Sequence, residues 1–303
     1  MQLYLVLSLA GLILFLMGLR LMSAALVKIA GGRLQTWLLN ITKTPLRGTL
    51  AGTLFTMIIQ SSSATTVIVV AAVNAGLLTL KQALSLIAGA NVGTTITEQI
   101  VVLELYQLVL PSLSLGFLLV LWPKARQAGL ALVGLGLLFQ GLQLMSEHLA
   151  QLLHLPVVRS LLAACSGSPY LSIVVGMALT AIVQSSSAVT ALTIALAAGR
   201  ALDLSTAIGI ALGSNIGTCV TALIAAHGTN RFARQAAMAH LLFNVLGVLA
   251  VIPFYTAFVD LVASTAPDLG RQIANGHTLF NLISVGVFLP IITPVSRILE
   301  RAA

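Results

Sequence analysis

Two short runs of polar residues interrupt otherwise apolar stretches of this 303-residue sequence. Each run is a glutamine followed by three serines, at residues 60–63 and again at residues 184–187. Serines that open a helix present N–H groups and a partial positive charge to an anion, while hydroxyl and carbonyl oxygens hold hard cations such as sodium. Lipid cannot satisfy such groups, so they must face protein, water or a ligand. The two runs predict an ion-binding site, with close helix packing as the alternative use of a single serine cluster.

Neither serine run has a charged residue near it in the sequence. Lys, Arg, Asp and Glu are absent from Gly48 to Leu80 and from Ser160 to Gly199. Neutral oxygens and backbone dipoles must then hold a bound oxyanion, and alone they would compensate a multiply charged anion poorly. Co-bound sodium would offset that charge, so the composition predicts coupling of an anion to sodium.

A second polar motif, Gly-x-Asn-x-Gly-Thr, follows each serine run, and its asparagine lies 31 residues after the glutamine in both copies. Paired glycines permit a helix to unwind. We expect a break at this motif, where Asn91, Thr94, Asn215 and Thr218 supply oxygens. The Gly-x-x-x-Gly spacing inside the motif is also that of a helix-packing face, and that alternative stays open.

The two sets of motifs belong to an internal repeat. Residues 52–97 align without a gap on residues 176–221 at an offset of 124, and 18 of the 46 positions are identical. The polar residues are the ones that recur, which random similarity between apolar segments would not produce. A repeat of this kind determines the architecture of the whole chain.

The elements that carry these motifs must lie in a membrane. The sequence is 58% hydrophobic and 7% charged, against about 25% charged residues in an ordinary soluble domain. Continuous apolar stretches of about twenty residues predict transmembrane helices rather than the strands of a barrel. The net charge of +8 is explained by basic cytoplasmic loops, so nucleic acid is not expected as a partner. The two cysteines, Cys165 and Cys219, do not indicate a disulfide framework.

We therefore predict an all-α polytopic membrane protein with two repeats of inverted topology and a C-terminal helix. Each repeat is expected to contain a re-entrant hairpin, with the serine run at its tip, and a helix broken at the Gly-x-Asn-x-Gly-Thr motif. The predicted ranges are 1–125 for repeat one (hairpin 48–75, broken helix 77–97), 126–260 for repeat two (hairpin 171–198, broken helix 202–226) and 261–303 for the C-terminal helix.

The placement of basic residues supports this topology. If both hairpins return to the side they entered from, eleven basic residues share one side and only Arg159, Arg200 and Arg271 fall on the other. Arg20 lies inside the first span and does not enter this comparison. The positive-inside rule then places the N-terminus outside and the C-terminus in the cytoplasm. The basic residues predicted on the cytoplasmic side are Lys28, Arg33, Lys43, Arg47, Lys81, Lys124, Arg126, Arg231, Arg234, Arg297 and Arg301.

The doubled glutamine-serine run, each copy followed by Gly-x-Asn-x-Gly-Thr, resembles the type II sodium/phosphate cotransporter family in its short bacterial form. The resemblance implies sodium-coupled movement of inorganic phosphate through the plasma membrane, which is the inner membrane of a bacterium, with sodium as coupling ion and no other cofactor. It implies a site shared by the two repeats, and it leaves a homodimer open. Longer bacterial members carry a soluble regulatory domain, which is not expected in this chain.

The candidate site residues for phosphate and sodium come from both copies of both motifs. Gln60, Gln184, Asn91 and Asn215 are the candidates for sodium. The full set is Gln60, Ser61, Ser62, Ser63, Thr66, Asn91, Thr94, Thr95, Gln184, Ser185, Ser186, Ser187, Thr190, Asn215 and Thr218.

Two further motifs, at His240 and His277, each read His-x-x-Phe-Asn and also resemble family elements. Repeat one lacks a counterpart, so we interpret both histidines as helix-packing residues rather than ligands. Two other functions compete with a coupled carrier. One is a sodium-independent oxyanion channel or phosphate exporter. The other is an intramembrane serine hydrolase, which is disfavoured because neither serine run has a neighbouring histidine or lysine to act as base. We expect no enzymatic activity.

Overall fold

The computed structural model describes residues 2–30, 42–103, 106–149 and 156–301, and this part of the chain consists of helices and their connections, without a β-strand. By length and hydropathy, five of the described helices could cross a membrane, or six when a bent pair counts as one span. The α-helices are α1 (Gln2–Ala30), α2 (Pro45–Ile59), α3 (Ser62–Asn74), α4 (Leu80–Val101), α5 (Val109–Val120), α6 (Arg126–Leu149), α7 (Pro156–Ser166), α8 (Pro169–Val183), α9 (Ser186–Ala198), α10 (Leu204–Ala225), α11 (Arg231–Val251), α12 (Tyr255–Ala263), α13 (Leu269–Phe288) and α14 (Ile292–Arg301). The all-α prediction is confirmed for these residues.

The first serine run separates α2 from α3. Helix α2 ends at Gln60, whose left-handed backbone angles (φ 59°, ψ 24°) terminate the helix. Helix α3 begins directly after Ser61, whose hydroxyl accepts a hydrogen bond from the Ala64 amide at 3.2 Å. This is the usual N-cap arrangement for serine. We call residues 60–63 the first serine turn.

The second serine run, residues 184–187, folds in the same way and is called the second serine turn. Gln184 is left-handed at φ 57°, and the Ser185 hydroxyl accepts from the Ala188 amide at 3.2 Å. In both copies the helices on either side of the turn have 15 and 13 residues. At 1.5 Å per residue they are about 20 Å long, which is shorter than the roughly 30 Å hydrocarbon core of a bilayer.

The predicted breaks in helices 77–97 and 202–226 are wrong, because α4 and α10 run continuously through the Gly-x-Asn-x-Gly-Thr motif. The glycines serve close packing instead. A Cβ added at Gly89 would overlap the Thr49 carbonyl oxygen of α2, and one added at Gly213 would overlap the Ile173 carbonyl oxygen of α8. Without side chains, each long helix approaches the backbone of its neighbour, as small residues allow in membrane helix pairs.

The C-terminal part contains more than the single helix predicted for 261–303. Helices α11 and α13 each end in a short 3-10 turn that contains a proline, Pro253 or Pro290, and each turn leads into a further short helix. Proline lacks the N–H that would continue the helix, which accounts for the two breaks. Of the basic residues used for the topology, Arg33 and the side chain of Arg159 lie outside the described residues.

A buried apolar core joins the two repeats. Phe15 of α1 and Leu138 and Phe139 of α6 are completely buried, and they belong to one cluster with residues of α4, α9 and α13. Helices α1 and α6 approach closely, since a Cβ at Gly18 would lie 2.6 Å from the Gly134 carbonyl oxygen. This core fixes α1 beside the two serine turns.

Residues outside the apolar spans cap the long helices. The Asp203 carboxylate accepts from the Thr206 amide at 2.7 Å and from the Ser166 hydroxyl at 2.8 Å. Burial alone would raise the pKa of Asp203, but these two donors hold it below its ordinary value. The corresponding position of repeat one is Thr79, which forms a capping box with Gln82. Both α4 and α10 are thus capped at their first turn, by different residue types.

Candidate functional site

The two serine turns lie at one cavity of about 660 Å³. A water molecule occupies about 30 Å³ in the liquid, so the cavity has room for a tetrahedral anion together with cations or water. Helix α1 forms part of the wall, and Thr94 of α4 and Thr221 of α10 complete the polar lining. All eight residues of the two turns line the cavity, namely Gln60, Ser61, Ser62, Ser63, Gln184, Ser185, Ser186 and Ser187.

Four serine hydroxyls at the cavity have no hydrogen-bond partner in the described part of the chain. They belong to Ser62, Ser63, Ser186 and Ser187, and Ser62 and Ser186 are each only 4% exposed. Their hydroxyl oxygens are accessible from the cavity rather than sealed within the protein. In addition, the first N–H groups of α3 and α9 have no acceptor within their own helices. Unpartnered hydroxyls and amides around one cavity form a set of donors suited to an oxyanion.

The two glutamines of the serine turns differ in environment. Gln60 is 4% exposed, and its side-chain oxygen accepts a hydrogen bond from the Thr97 hydroxyl at 2.7 Å while its amide nitrogen donates to the Met57 carbonyl. Gln184 is exposed, and the hydroxyl of Thr221, the counterpart of Thr97, donates to the Thr218 carbonyl instead. The site is therefore asymmetric, although its two halves have the same local fold.

Six of the fifteen predicted site residues lie outside the cavity lining, namely Thr66, Thr95, Thr190, Thr218 and the two asparagines Asn91 and Asn215. Thr66 and Thr190 are completely buried one turn beyond the serines, with hydroxyls that lack a partner among the described residues. The Thr95 hydroxyl donates to the Val92 carbonyl at 2.8 Å. Of the threonines in the second motif, Thr94 lines the cavity and Thr218 donates to Ser214 within α10.

The predicted sodium ligand Asn91 lies beside the cavity wall rather than in its lining. Its amide nitrogen donates to Asn244 Oδ1 at 2.8 Å, and its oxygen lies 3.3 Å from His240 Nε2. His240 is 1% exposed. The first His-x-x-Phe-Asn motif of α11 thus holds the asparagine of α4 through two side chains, in agreement with the packing interpretation of this histidine.

Asn215, the counterpart of Asn91, pairs with the second His-x-x-Phe-Asn motif. Asn215 Nδ2 lies 2.6 Å from His277 Nε2, and His277 Nδ1 lies 2.6 Å from the Glu98 carboxylate. Glu98 and His277 are both buried, and no other ion pair is formed among the described residues. The counterpart of Glu98 in the second repeat is Ala222. This cluster therefore contains a buried carboxyl group that the His240 cluster lacks.

Sequence reasoning missed this relation between the repeats and the C-terminal helices. Residues 234–253 align with 271–290 at an offset of 37, and nine of the 20 positions are identical, including the histidine, phenylalanine, asparagine and proline. Helices α11 and α13 are thus a second internal repeat, and each copy supplies a histidine to one asparagine of the first repeat. A self-comparison at shorter offsets would have found it.

Sequence reasoning also set aside Arg20. This residue is exposed on α1 and lines the cavity together with Leu16, Leu19 and Ser23 of the same helix. It is the charged residue of the cavity lining, and it stands on α1 beside the neutral oxygens that the two serine runs supply. The signal in the sequence was a lone arginine in the middle of an apolar span, because a charge in such a segment normally marks a functional position.

Apolar helices of membrane-spanning length around a cavity with duplicated oxygen groups define an integral membrane transport protein. The model of the Na+/Pi-cotransporter family matches residues 14–147 and 143–264, once for each half, and the chain belongs to this family of phosphate transporters. No solved structure matches the chain.

Named relatives cover different shares of the sequence. An uncharacterized protein of Bacillus subtilis, YqeW, is 36% identical over 256 residues, which are 84% of this chain and 83% of that protein. The "Putative inorganic phosphate export protein YjbB" of Escherichia coli K12 is 30% identical over 85% of this chain, which spans about half of its length (47%). The sodium-dependent phosphate transport protein 2C of the mouse is 45% identical over 86 residues, or 27% of this chain and 14% of that protein.

Proposed function

We propose that the protein is a sodium-coupled secondary transporter of inorganic phosphate, and that phosphate binds in the cavity between the two serine turns. The observation that carries this proposal is the meeting of both turns at one cavity, with hydroxyls and helix-opening amides that have no partner. Such donors match the acceptor oxygens of phosphate, and hydrogen bonds to a charged group are the stronger ones. The family and the names of its relatives agree with phosphate as substrate.

Sodium would bind next to phosphate and offset part of its charge. Gln60 and Gln184 are the first candidates, because both line the cavity and carry side-chain oxygens. Asn91 and Asn215 would have to exchange their histidine partners for the ion, so we assign them to a later step of the cycle or to an indirect role. The name of the mouse relative, a sodium-dependent transport protein, supports sodium as the coupling ion.

Contacts between helix ends support a re-entrant hairpin in the first repeat. The Gln82 amide at the start of α4 donates to the Thr42 hydroxyl just before α2 at 2.8 Å. Only five residues separate α3 from α4, so the entry of α2 and the exit of α3 lie on one side. Across the serine turn, Thr56 of α2 donates to the Thr65 hydroxyl of α3 at 2.9 Å.

The same type of contact supports the proposed sidedness. Asn230 donates to Asn74 at 2.7 Å, and both belong to the side assigned to the cytoplasm. Arg271 donates to Gln99 at 3.0 Å, and Ser166 donates to Asp203, and all four belong to the side assigned to the exterior. The contacts agree with the grouping of these residues into two sides, and the placement of basic residues supports the proposed orientation, with the N-terminus outside, the C-terminus in the cytoplasm and the plasma membrane as the location.

We propose alternating access as the transport mechanism. Two serine turns of the same fold in inverted topology could exchange roles, so that one arrangement opens outward and the other inward. The difference between Gln60, which is bonded to Thr97, and Gln184, which is exposed, is the asymmetry that such a cycle requires. A channel would need a continuous polar lining, whereas Leu16, Leu19 and Val183 are part of the wall.

The alternative function is phosphate export, because the name of the YjbB relative includes export. A coupled carrier runs in either direction according to its gradients, so the same site serves both. A serine hydrolase remains disfavoured, since no histidine, lysine or carboxylate is among the described residues that line the cavity.

Transport by the purified protein in liposomes tests the proposal. Radiolabelled phosphate should accumulate when sodium is added outside, and replacement of sodium by choline should abolish accumulation. Vesicles loaded with phosphate and sodium should release phosphate faster into choline than into sodium. Equal phosphate flux in sodium and choline would refute coupling, and resolvable single-channel current steps would refute a carrier cycle.

A further inference from the structure

We propose that Arg20 binds phosphate in the cavity and supplies the single fixed positive charge of the site. This inference rests on the proposed function, since it assigns a residue to the same phosphate site. Arg20 stands outside both serine turns and outside the Gly-x-Asn-x-Gly-Thr motifs, on a helix that carries neither.

The position of Arg20 on α1 directs it to the cavity. Leu16, Leu19, Arg20 and Ser23 all line the cavity, and their spacing of i, i+3, i+4 and i+7 places them on one face of the helix. This is the α1 face that meets the serine turns.

The guanidinium of Arg20 has no hydrogen bond and no ion pair with any residue that the structure describes. A charged side chain within a membrane-spanning helix is costly, and such residues normally pair or face a water-filled cavity. Arg20 faces the cavity. Its five N–H donors are therefore free for a ligand, and their planar arrangement suits two oxygens of one phosphate.

The serine donors around the cavity provide an independent indication of an anion at this place. Ser62 and Ser186 are more than nine-tenths buried, line the same cavity and have no partner in the described part of the chain. An arginine together with unpartnered hydroxyls and the first amides of α3 and α9 forms a set of donors with no acceptor side chain of negative charge. An oxyanion in the cavity would accept hydrogen bonds from these donors.

The internal repeat shows that the charge belongs to one half only. The sequence around Arg20 aligns with that around Gln143 of α6, so the second copy has a neutral residue at this position. Gln143 donates to Glu147 at 2.8 Å within its own helix and is not part of the cavity lining. Arg20 thus gives the first half of the site a positive charge that the second half lacks. Part of the phosphate charge would then be compensated without sodium.

Equilibrium binding of radiolabelled phosphate to the purified full chain in lipid nanodiscs tests this assignment. Arg20→Gln installs the residue of the second copy, and we expect the phosphate Kd at saturating sodium to rise about tenfold, with a steeper dependence of Kd on sodium concentration. Arg20→Lys keeps the charge but loses the planar pair of donors, so its Kd should lie between those of wild type and Arg20→Gln.

Lys28→Gln is the matched control, because it removes the same charge from the same helix at an exposed position outside the cavity. Its phosphate Kd should equal that of wild type. A Kd for Arg20→Gln within twofold of the Lys28→Gln value would overturn the assignment. If Arg20→Gln unfolds, Arg20→Met keeps the apolar stem and must show the same loss of affinity. Absence of phosphate binding by the wild type would instead refute the proposed function itself.

Discussion

At the residue scale, the serine turns combine two different uses of serine. The first serine of each run caps a helix, since Ser61 and Ser185 accept from the amides of Ala64 and Ala188. The later serines keep their hydroxyls free toward the cavity. Each run thus caps the helix that follows and places further hydroxyls at the cavity.

Replacement of the second serine in each turn should impair phosphate binding in both halves. A hydrogen bond to a charged group contributes roughly 1.5–3 kcal/mol, so Ser62→Ala and Ser186→Ala should each raise the phosphate Kd by about tenfold or more. Because Arg20 and Gln60 make the halves unequal, the two variants should change the sodium dependence of transport to different extents. Identical shifts in phosphate and sodium dependence would contradict this asymmetry. Thermal unfolding in detergent serves as the folding control.

The Gln60–Thr97 hydrogen bond should contribute more to the rate of phosphate uptake than the equivalent residues of repeat two, Gln184 and Thr221. Thr97→Val keeps the shape of the side chain and removes the hydroxyl that orients Gln60. We expect a reduced maximal rate of sodium-driven phosphate uptake. Thr221→Val is the comparison at the equivalent position of repeat two, where the hydroxyl also lines the cavity but is bonded within α10 and not to Gln184. Equal effects of the two substitutions would show that the difference between the glutamines has no functional role.

At the element scale, close helix pairs position the site. Each serine turn is held by a long helix, α4 or α10, that packs on α2 or α8 through glycine. The asparagines of these long helices are held in turn by the histidines of α11 and α13. The cavity is therefore bounded by elements whose mutual distances are set by backbone contact and by buried hydrogen bonds.

A methyl group at Gly89 should separate α4 from α2 and destabilise the protein. Its Cβ would overlap backbone atoms, which cannot move aside as a flexible side chain would. Overpacking of this kind costs about 1–3 kcal/mol, so the melting temperature of Gly89→Ala in detergent should fall. Gly286→Ala is the control, since an added Cβ there has no heavy atom within 4 Å and alanine favours a helix by up to about 1 kcal/mol. A lower melting temperature for the control than for Gly89→Ala would contradict the packing argument.

At the scale of the whole molecule, the buried Glu98–His277 pair connects α4 of the first repeat with α13 near the C-terminus. Removal of one partner of a buried pair leaves the other without compensation and typically costs 3–5 kcal/mol. Glu98→Ala and His277→Ala should each lower the melting temperature strongly, and the double variant should lose less than the sum. Additive losses would show that the pair does not act as a unit. His240→Ala, which has no acid partner in the described chain, should cost less.

The topology of the whole chain can be tested by labelling. Single cysteines at Lys43 and Tyr170, both exposed, are introduced into a variant without Cys165 and Cys219. A membrane-impermeant maleimide added to intact cells should label the cysteine at position 170, and the one at position 43 should react only after permeabilisation. Labelling of both from the same side would refute the inverted arrangement of the repeats.

Much of this protein could be predicted from its sequence, because the determining signals are local. Apolar length and low charge predict membrane helices, and an exact recurrence of polar residues predicts a duplicated site. The predicted interruption at each serine run is confirmed, because a serine there caps a new helix. The same local reasoning predicted breaks in α4 and α10 that do not exist, because the role of a glycine depends on the neighbour that approaches it.

Only the tertiary structure could decide which residues meet. It placed Arg20 at the serine turns 40 residues or more away in the sequence, and it paired Glu98 with His277 across 179 residues. It also separated Asn91 and Asn215 from the cavity lining by bonding them to histidines of the C-terminal repeat. The physical reason is that hydrogen-bonding partners within a membrane are selected by helix packing and by the cost of leaving a buried polar group unpaired, and neither is encoded in the spacing of residues along the chain.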